Sequence, residues 1–234
     1  MNELSIFDAG DIAAVSAVAR RLRMGEVIAV RFNGAFALVG DIDCPSSAET
    51  IFRVKNRPRH KTLAMINHPE QMTRYVDHGR LPYDLDRIIA LQTQLHAIGV
   101  ILPADHQATP SHTLVGDTIL NVWTEHPPLR NLLNALHMLG GRALHGASAN
   151  PSGQPTLACI NAVTDTFAGQ IAGIYIDQQI EVDPIRQRST SLLDLTTTPP
   201  TLRREGNVSR DEIGERLAAL DFGRLQIAPD LRWV

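Results

Sequence analysis

Apolar positions first recur at helical spacing over residues 11–24, where Ile12, Val15, Val18, Ala19 and Leu22 share one side and Gly25 follows as a stop. Two apolar runs come next, 27–32 and 35–39, separated by Asn33-Gly34. That pair tolerates positive φ at both turn positions, so it predicts a tight hairpin. Ser46-x-x-Glu49 predicts a capped helix running to Val54, ended by Arg57-Pro58. A short strand over 62–67 and a helix started by Pro69 and reaching 76 follow. Residues 84–96 read as a helix on Leu85, Ile88, Ile89, Leu91 and Leu95, and 127–139 as another, stopped by Gly140-Gly141. Strand-like runs lie at 100–103, 118–123, 174–177, 191–195 and 201–204. Residues 142–146 lead into a turn-rich segment, and Ser209-x-x-Glu212 opens a last helix ending near 220. The stretch 196–201 reads as a turn rather than a linker, and no repeat or low-complexity tract interrupts the chain. Helices mixed with short strands predict one α/β domain on a mixed sheet.

Composition narrows this picture modestly. A chain of 234 residues with 44% apolar and 20% charged residues can bury a sizeable core and is not of a disordered class. A net charge of −3 excludes a generally polycationic nucleic-acid binder, so any phosphate-binding surface has to be local. No apolar stretch approaches the roughly 18–20 residues of a membrane span. The acidic N-terminus lacks a charged-then-apolar leader, and Cys44 and Cys159 make neither a disulfide framework nor a C-x-x-C pair. A soluble, cytoplasmic, reduced protein is expected.

Charge type is more informative than net charge. Of the 22 basic residues only Lys55 and Lys61 are lysine, and both fall in one segment, 53–61. There Arg53, Lys55, Arg57, Arg59 and Lys61 alternate with other residues, and no acidic side chain lies between Glu49 and Glu70. If the backbone is extended after Arg57, then Arg57, Arg59 and Lys61 share one face, combining point charge with bidentate forks as phosphate recognition requires. A solvated basic run is the plainer alternative. A second candidate is Ser148-Ala149-Asn150-Pro151-Ser152-Gly153, whose hydroxyl, amide and backbone donors suit a phosphate or carboxylate, with a polar turn as the alternative. It lacks the closing glycine of a nucleophile elbow. Arg186-Gln187-Arg188-Ser189-Thr190-Ser191 and Arg203-Arg204-Glu205-Gly206 are the third and fourth. The nine histidines show no spacing that builds a metal site.

Taken in order, Lys55-Asn56-Arg57-Pro58, the 148–153 element, Ser189-Thr190 before a strand, and Arg204-x-Gly206 resemble the YrdC-type threonylcarbamoyl-AMP synthases, over about 20–213. The resemblance implies a YrdC-like α/β (α+β) fold, a twisted mixed sheet with helices around a concave basic cavity. It makes 1–234 one domain, with a core of about 10–213 and a C-terminal helix and tail over 207–234. It implies a synthase that joins ATP, L-threonine and bicarbonate into threonylcarbamoyl-AMP and pyrophosphate, for modification of tRNA adenosine. By the same resemblance Lys55 and Arg57 contact ATP phosphates, Ser148 and Asn150 line the nucleotide site, and Ser189 or Thr190 with Arg204 close over it. Arg53, Arg59 and Lys61 extend a phosphate or RNA patch, since some members bind double-stranded RNA. Mg2+ is expected with the ATP, although no carboxylate cluster for it is visible. The catalytic residues stay open.

The acceptor half departs from the family pattern. Where the family has Pro-Thr-x-Thr-x-Tyr-Gly-Leu, this chain reads Arg31-Phe32-Asn33-Gly34-Ala35-Phe36-Ala37-Leu38. Pro-Gly-Pro-Leu-Thr becomes Pro103-Ala104-Asp105-His106-Gln107, which makes Asp105 and His106 possible substrate contacts, and Trp123 stands where the family has an arginine. Trp123 and Phe36 read otherwise as core residues. Two alternatives to the synthase therefore remain: a non-catalytic RNA- or nucleotide-binding protein, and a paralogue that adenylates or carbamoylates another small molecule.

Overall fold

The computed structural model describes residues 4–32, 35–95, 97–177 and 189–233. Their strands form one 12-stranded sheet. In chain order the strands are β1 (Ser5–Asp8), β2 (Ile28–Phe32), β3 (Ala35–Asp41), β4 (Ala64–Ile66), β5 (Ala97–Pro103), β6 (Leu114–Val115), β7 (Thr118–Thr124), β8 (Leu144–Ser148), β9 (Gly173–Ile176), β10 (Ser191–Asp194), β11 (Thr201–Glu205) and β12 (Gln226–Trp233). They lie in the spatial order β1-β9-β2-β3-β8-β4-β7-β5-β10-β11-β12, with β6 on β7. Parallel and antiparallel pairs mix along this path.

The helices are α1 (Ile12–Arg23), α2 (Pro45–Val54), the single turn α3 (Pro69–Met72), α4 (Leu85–Leu95), α5 (Pro127–Met138), α6 (Ile160–Phe167) and α7 (Arg210–Ala219). The amphipathic pattern decides where they go. The apolar side of α1, with Val18, Ala19 and Leu22 fully buried, meets Leu129, Leu132, Leu133 and Leu136 of α5 over one face of β2, β3, β8 and β4. α2 and α6 cover the opposite face, on Leu38, Ile51, Val163 and Ile174. α4 and α7 cover the β5–β10–β11 end of the sheet.

Several expectations are corrected. α2 is not capped by Ser46: Pro45 takes the first helical position after Cys44, its fixed φ suiting that place, and Ser47 turns its hydroxyl to the Cys44 and Asp41 carbonyls. Residues 57–61 are not extended. The Lys61 amide bonds to the Pro58 carbonyl at 3.0 Å, closing a turn, so the three do not alternate along one extended face: Arg57 and Lys61 meet across the turn and Arg59 points away to Glu49. The tail beyond α7 carries β12, a strand parallel to β11, and both β1 and α6 went unpredicted. The 69–76 helix stops at Met72 and continues as a 3-10 turn. By contrast, Asp11 caps α1, and the Ser209 hydroxyl accepts from the Glu212 amide as the capping box requires. β2 and β3 pair antiparallel from Ile28–Val39 to Phe32–Ala35, while Asn33-Gly34 itself lies outside the described residues, as do Arg186, Gln187 and Arg188.

α2 seats closely on the sheet because Gly40 has no side chain. A Cβ there would lie 2.4 Å from Ser47 Oγ and 2.7 Å from His145 Nε2. Ser47 Oγ and His145 Nε2 are 3.0 Å apart, and His145 Nδ1 meets His112 Nε2 at 2.9 Å. Burial, then the neighbouring His112, holds His145 down to about 3, so its imidazole is neutral. Gly40→Ala is expected to destabilise the fold by about 1–3 kcal/mol, read by urea unfolding, because neither the fully buried serine nor the histidine can retreat without breaking a hydrogen bond.

Candidate functional site: a carboxylate-free cationic cavity

Where α1 and α5 stop, the sheet face they cover continues uncovered and becomes the floor of a cavity of about 410 Å³. Its walls come from distant stretches of chain. Arg57, Lys61 and Thr62 approach from the turn after α2, Ser148 from the end of β8, and Ser189, Thr190 and Arg204 from the β10–β11 side. No Asp or Glu lines it among the described residues.

The cations are fixed by the main chain. Arg57 donates from Nε to the Lys61 carbonyl at 2.9 Å and from Nη2 to the Thr62 carbonyl at 2.6 Å. Arg204 donates from Nε and Nη2 to the Thr190 carbonyl at 2.9 and 2.7 Å. Burial lowers both guanidinium pKa values from their ordinary range, yet an arginine stays charged, so the cost of that burial favours an incoming anion. Neighbouring Arg203 points elsewhere, to Asp194 at 2.8 Å. Gly206 permits this wall to close: a Cβ there would overlap the Ser189 carbonyl oxygen at 1.8 Å. Ser191 then joins the two segments, its hydroxyl donating to the Val208 carbonyl at 2.7 Å and accepting from the Gly206 amide at 2.9 Å.

Lys55 and Asn150 hold a different place from the one expected. Lys55 is 1% exposed, and its ammonium faces the 148–150 turn rather than the cavity. It donates to the carbonyls of Ser148 and Asn150 and, at 3.1 Å, to Asn150 Oδ1. The Lys55 carbonyl in turn accepts from the Ser152 amide at 2.8 Å. The amide of Asn150 donates inward to Pro151 and Gln154 carbonyls, and its Oδ1 accepts from Ser148 Oγ at 2.6 Å. Of this element Ser148 alone reaches the cavity, and Lys55 and Asn150 set its position.

Arg53 and Arg59 stay outside. Arg59 lies over the Phe52 ring and pairs with Glu49, both side chains more than half exposed. Asp105 and His106 lie in a separate surface cleft, where His106 Nε2 meets Asp117 at 3.0 Å beside Arg80. Trp123 is core, with its indole N–H on Glu125, whereas Phe36 is both core and cavity wall. The sequence reading missed Thr62, Thr156 and the apolar floor. The signal for the floor was there, since Ala35 and Ala37, Ala64 and Ile66, and Leu120 and Val122 recur at the two-residue period of one strand face. Among the described residues no group of three or more His, Cys, Asp or Glu is placed to hold a metal ion.

Comparison with known proteins gives the family and the fold. The Sua5/YciO/YrdC family, described as "Telomere recombination", matches residues 20–206. The chain belongs to that family. A threonylcarbamoyl-AMP synthase of Pseudoalteromonas translucida is 30% identical over 171 residues, 73% of this chain and 88% of the relative. In fold, P. abyssi Sua5 complexed with L-threonine superposes with a TM-score of 0.79 at 22% identity, over 94% of this chain and 60% of that longer one. E. coli YciO superposes with 0.73 at 18% identity, over 91% of this chain and all of its own. This family member thus has the expected α/β architecture, a twisted mixed sheet with a concave basic cavity, and no helix long and apolar enough to cross a membrane among its described residues.

Desolvation, and then the Arg57 charge, push Lys55 down to about 7. Its unfolded value is near 10.5, so between pH 7 and pH 10 the unfolded chain binds more protons and stability rises with pH. Raising pH from 7 to 9 is expected to stabilise the protein relative to Lys55→Met by up to about 2 kcal/mol, measured by urea unfolding of both at each pH.

Proposed function

We propose that the chain is an ATP-dependent carbamoyl-adenylate synthase of the threonylcarbamoyl-AMP synthase type, with a small amino acid as acceptor. One observation carries the reading: Arg57, Lys61 and Arg204 converge on a cavity without carboxylates, beside the hydroxyl of Ser148. A triphosphate complements that set and a neutral ligand does not. The threonine bound to P. abyssi Sua5 and the name of the P. translucida relative support an amino acid in the same reaction.

The overall change balances as follows. The amino group bonds to the carbon of bicarbonate as water leaves, giving an N-carboxylate. An oxygen of that carboxylate bonds to the α-phosphorus while the bond to the β-phosphate bridge oxygen breaks, and pyrophosphate departs with the electron pair. Negative charge gathers on the leaving group, where Arg57 and Arg204 are already oriented by main-chain bonds and need little reorganisation, with Lys61 beside them. Ser148 and Thr190 supply hydroxyls from two walls of the same cavity. Magnesium enters as the Mg–ATP substrate, because no carboxylate of the cavity wall offers it a ligand among the described residues. The product belongs, by the family's role, to tRNA adenosine modification, and two unpaired thiols, Cys44 and Cys159, suit the reducing cytoplasm. RNA binding is not the reading favoured: of the Arg53, Arg59 and Lys61 patch, Arg59 is neutralised by Glu49 and Lys61 belongs to the cavity lining, which leaves Arg53.

Arg57→Gln and Arg204→Gln are each expected to weaken ATP binding by about 10–100-fold, the loss of one charge-assisted hydrogen-bonding group. Arg59→Gln, outside the cavity, should leave it unchanged. Fluorescent-nucleotide titration checks this, and wild-type affinity in both cavity variants would refute the assignment.

A further inference from the structure

The cavity floor is chemically unlike its walls. Register places its residues in adjoining rows across the sheet. Ala37 is paired with Ser148 and Ala64 with Gly146; beside them Ile66 is paired with Val122, Val122 with Gly99, and Gly99 with Leu192. Backbone donors and acceptors along these rows are used in strand pairing, and the one side-chain hydroxyl in them, Ser148 at the strand end, donates to Asn150 Oδ1. Gly99 carries nothing, and a Cβ there would come within 2.7 Å of Leu192 Cδ2 and 3.0 Å of Leu120 Cδ1, so those two side chains close over it. The hydroxyls of the cavity (Thr62, Ser148, Thr156, Ser189, Thr190) all belong to the loops and strand end that form its walls, not to the floor. A purine edge or a substrate hydroxyl laid on the floor would lose its water partners and gain none. An aliphatic side chain loses nothing polar there.

Resting on the function proposed above, we propose that the acceptor's side chain lies on this apolar floor and is read by shape alone. The acceptor class is then the small aliphatic amino acids. L-valine and L-2-aminobutyrate serve at least as well as L-threonine. Ala64, Leu120 and Val122 determine that preference, and no residue recognises a β-hydroxyl.

Threonine and valine are nearly isosteric and differ by hydroxyl against methyl, which makes them the decisive pair. A site built to bond the hydroxyl rejects the analogue lacking it by about 10⁴-fold or more, whereas an apolar pocket disfavours an added hydroxyl by about 100-fold at most. The test is pyrophosphate release from Mg–ATP and bicarbonate by the full chain with L-threonine, L-valine or L-2-aminobutyrate. In parallel, calorimetric titration of each amino acid is run with ATP present. The expected result is a kcat/KM for valine between one and about 100 times that for threonine. The isosteric Val122→Thr, or Ala64→Ser should the first fold poorly, is expected to move that ratio at least tenfold toward threonine.

Threonine preferred over valine in the unaltered chain overturns the proposal. So does a ratio that neither variant moves. Should no turnover occur, valine binding at least as tightly as threonine supports it, and binding of neither overturns it. ATP titration separates the two levels: ATP bound with threonine preferred, or with neither amino acid bound, refutes the floor alone, and ATP unbound refutes the nucleotide reading beneath it as well.

Discussion

A buried lysine amine holds the site together. Lys55, at the end of α2, reaches across to the carbonyls of Ser148 and Asn150 and to the Asn150 side chain, three acceptors that its ammonium serves at once and of which the neutral amine prevailing above pH 7 serves two. Without Lys55 the Asn150 carbonyl would lose its donor, at roughly 1–3 kcal/mol, whereas the Ser148 carbonyl keeps the Asn150 amide and Asn150 Oδ1 keeps the Ser148 hydroxyl. Arginine could not fill the position, since its planar fork does not converge three donors on one point. Such an ammonium is stable only while the turn keeps its shape. The interaction therefore selects one conformation of Ser148, and with it one orientation of the wall that faces the ligand.

The remaining walls follow the same logic of anchoring charges to backbone rather than to counter-ions. Arg57 and Arg204 are aimed by carbonyls of the turns that carry them, which leaves their charge available. Ion pairs are kept elsewhere in the molecule. Arg23 and Arg142 meet Asp41 and Asp43 beside α2, and Arg203, one residue before Arg204, faces Asp194 on the other side of its strand. Alternation along β11 thus separates a structural cation from a ligand-facing one in adjacent positions.

Much of this was legible in the sequence. The helical stripes placed α1, α4 and α5 within a few residues, and the capping box at Ser209 marked α7, because each depends on contacts three or four residues apart. The order of the Lys55, Ser148, Ser189 and Arg204 segments identified which stretches meet. The direction of individual side chains was less accessible. Whether Lys55 faces the ligand or the turn depends on the path of residues 148–152, some ninety positions away, which no local pattern encodes. The same holds for β12: its pairing partner is β11, and its own residues, interrupted by Pro229 and Asp230, alternate too weakly to announce a strand. The misplaced cap at Ser46 shows two local rules competing, with the proline at the first helical position prevailing.

The spatial order of the strands has a consequence for how the site comes into being. Arg57 and Arg204 are 147 positions apart in sequence, and the rows of floor residues joining their walls pass through β8, β4, β7, β5 and β10, which are made at widely separated times in synthesis. Neither half of the chain contains both cations. The cavity is a late product of folding, complete only when β10 docks against β5, and long-range pairings of this kind close slowly. A chain that has folded only its first half presents Arg57 over an open sheet edge and has nothing with which to hold a triphosphate from the other side.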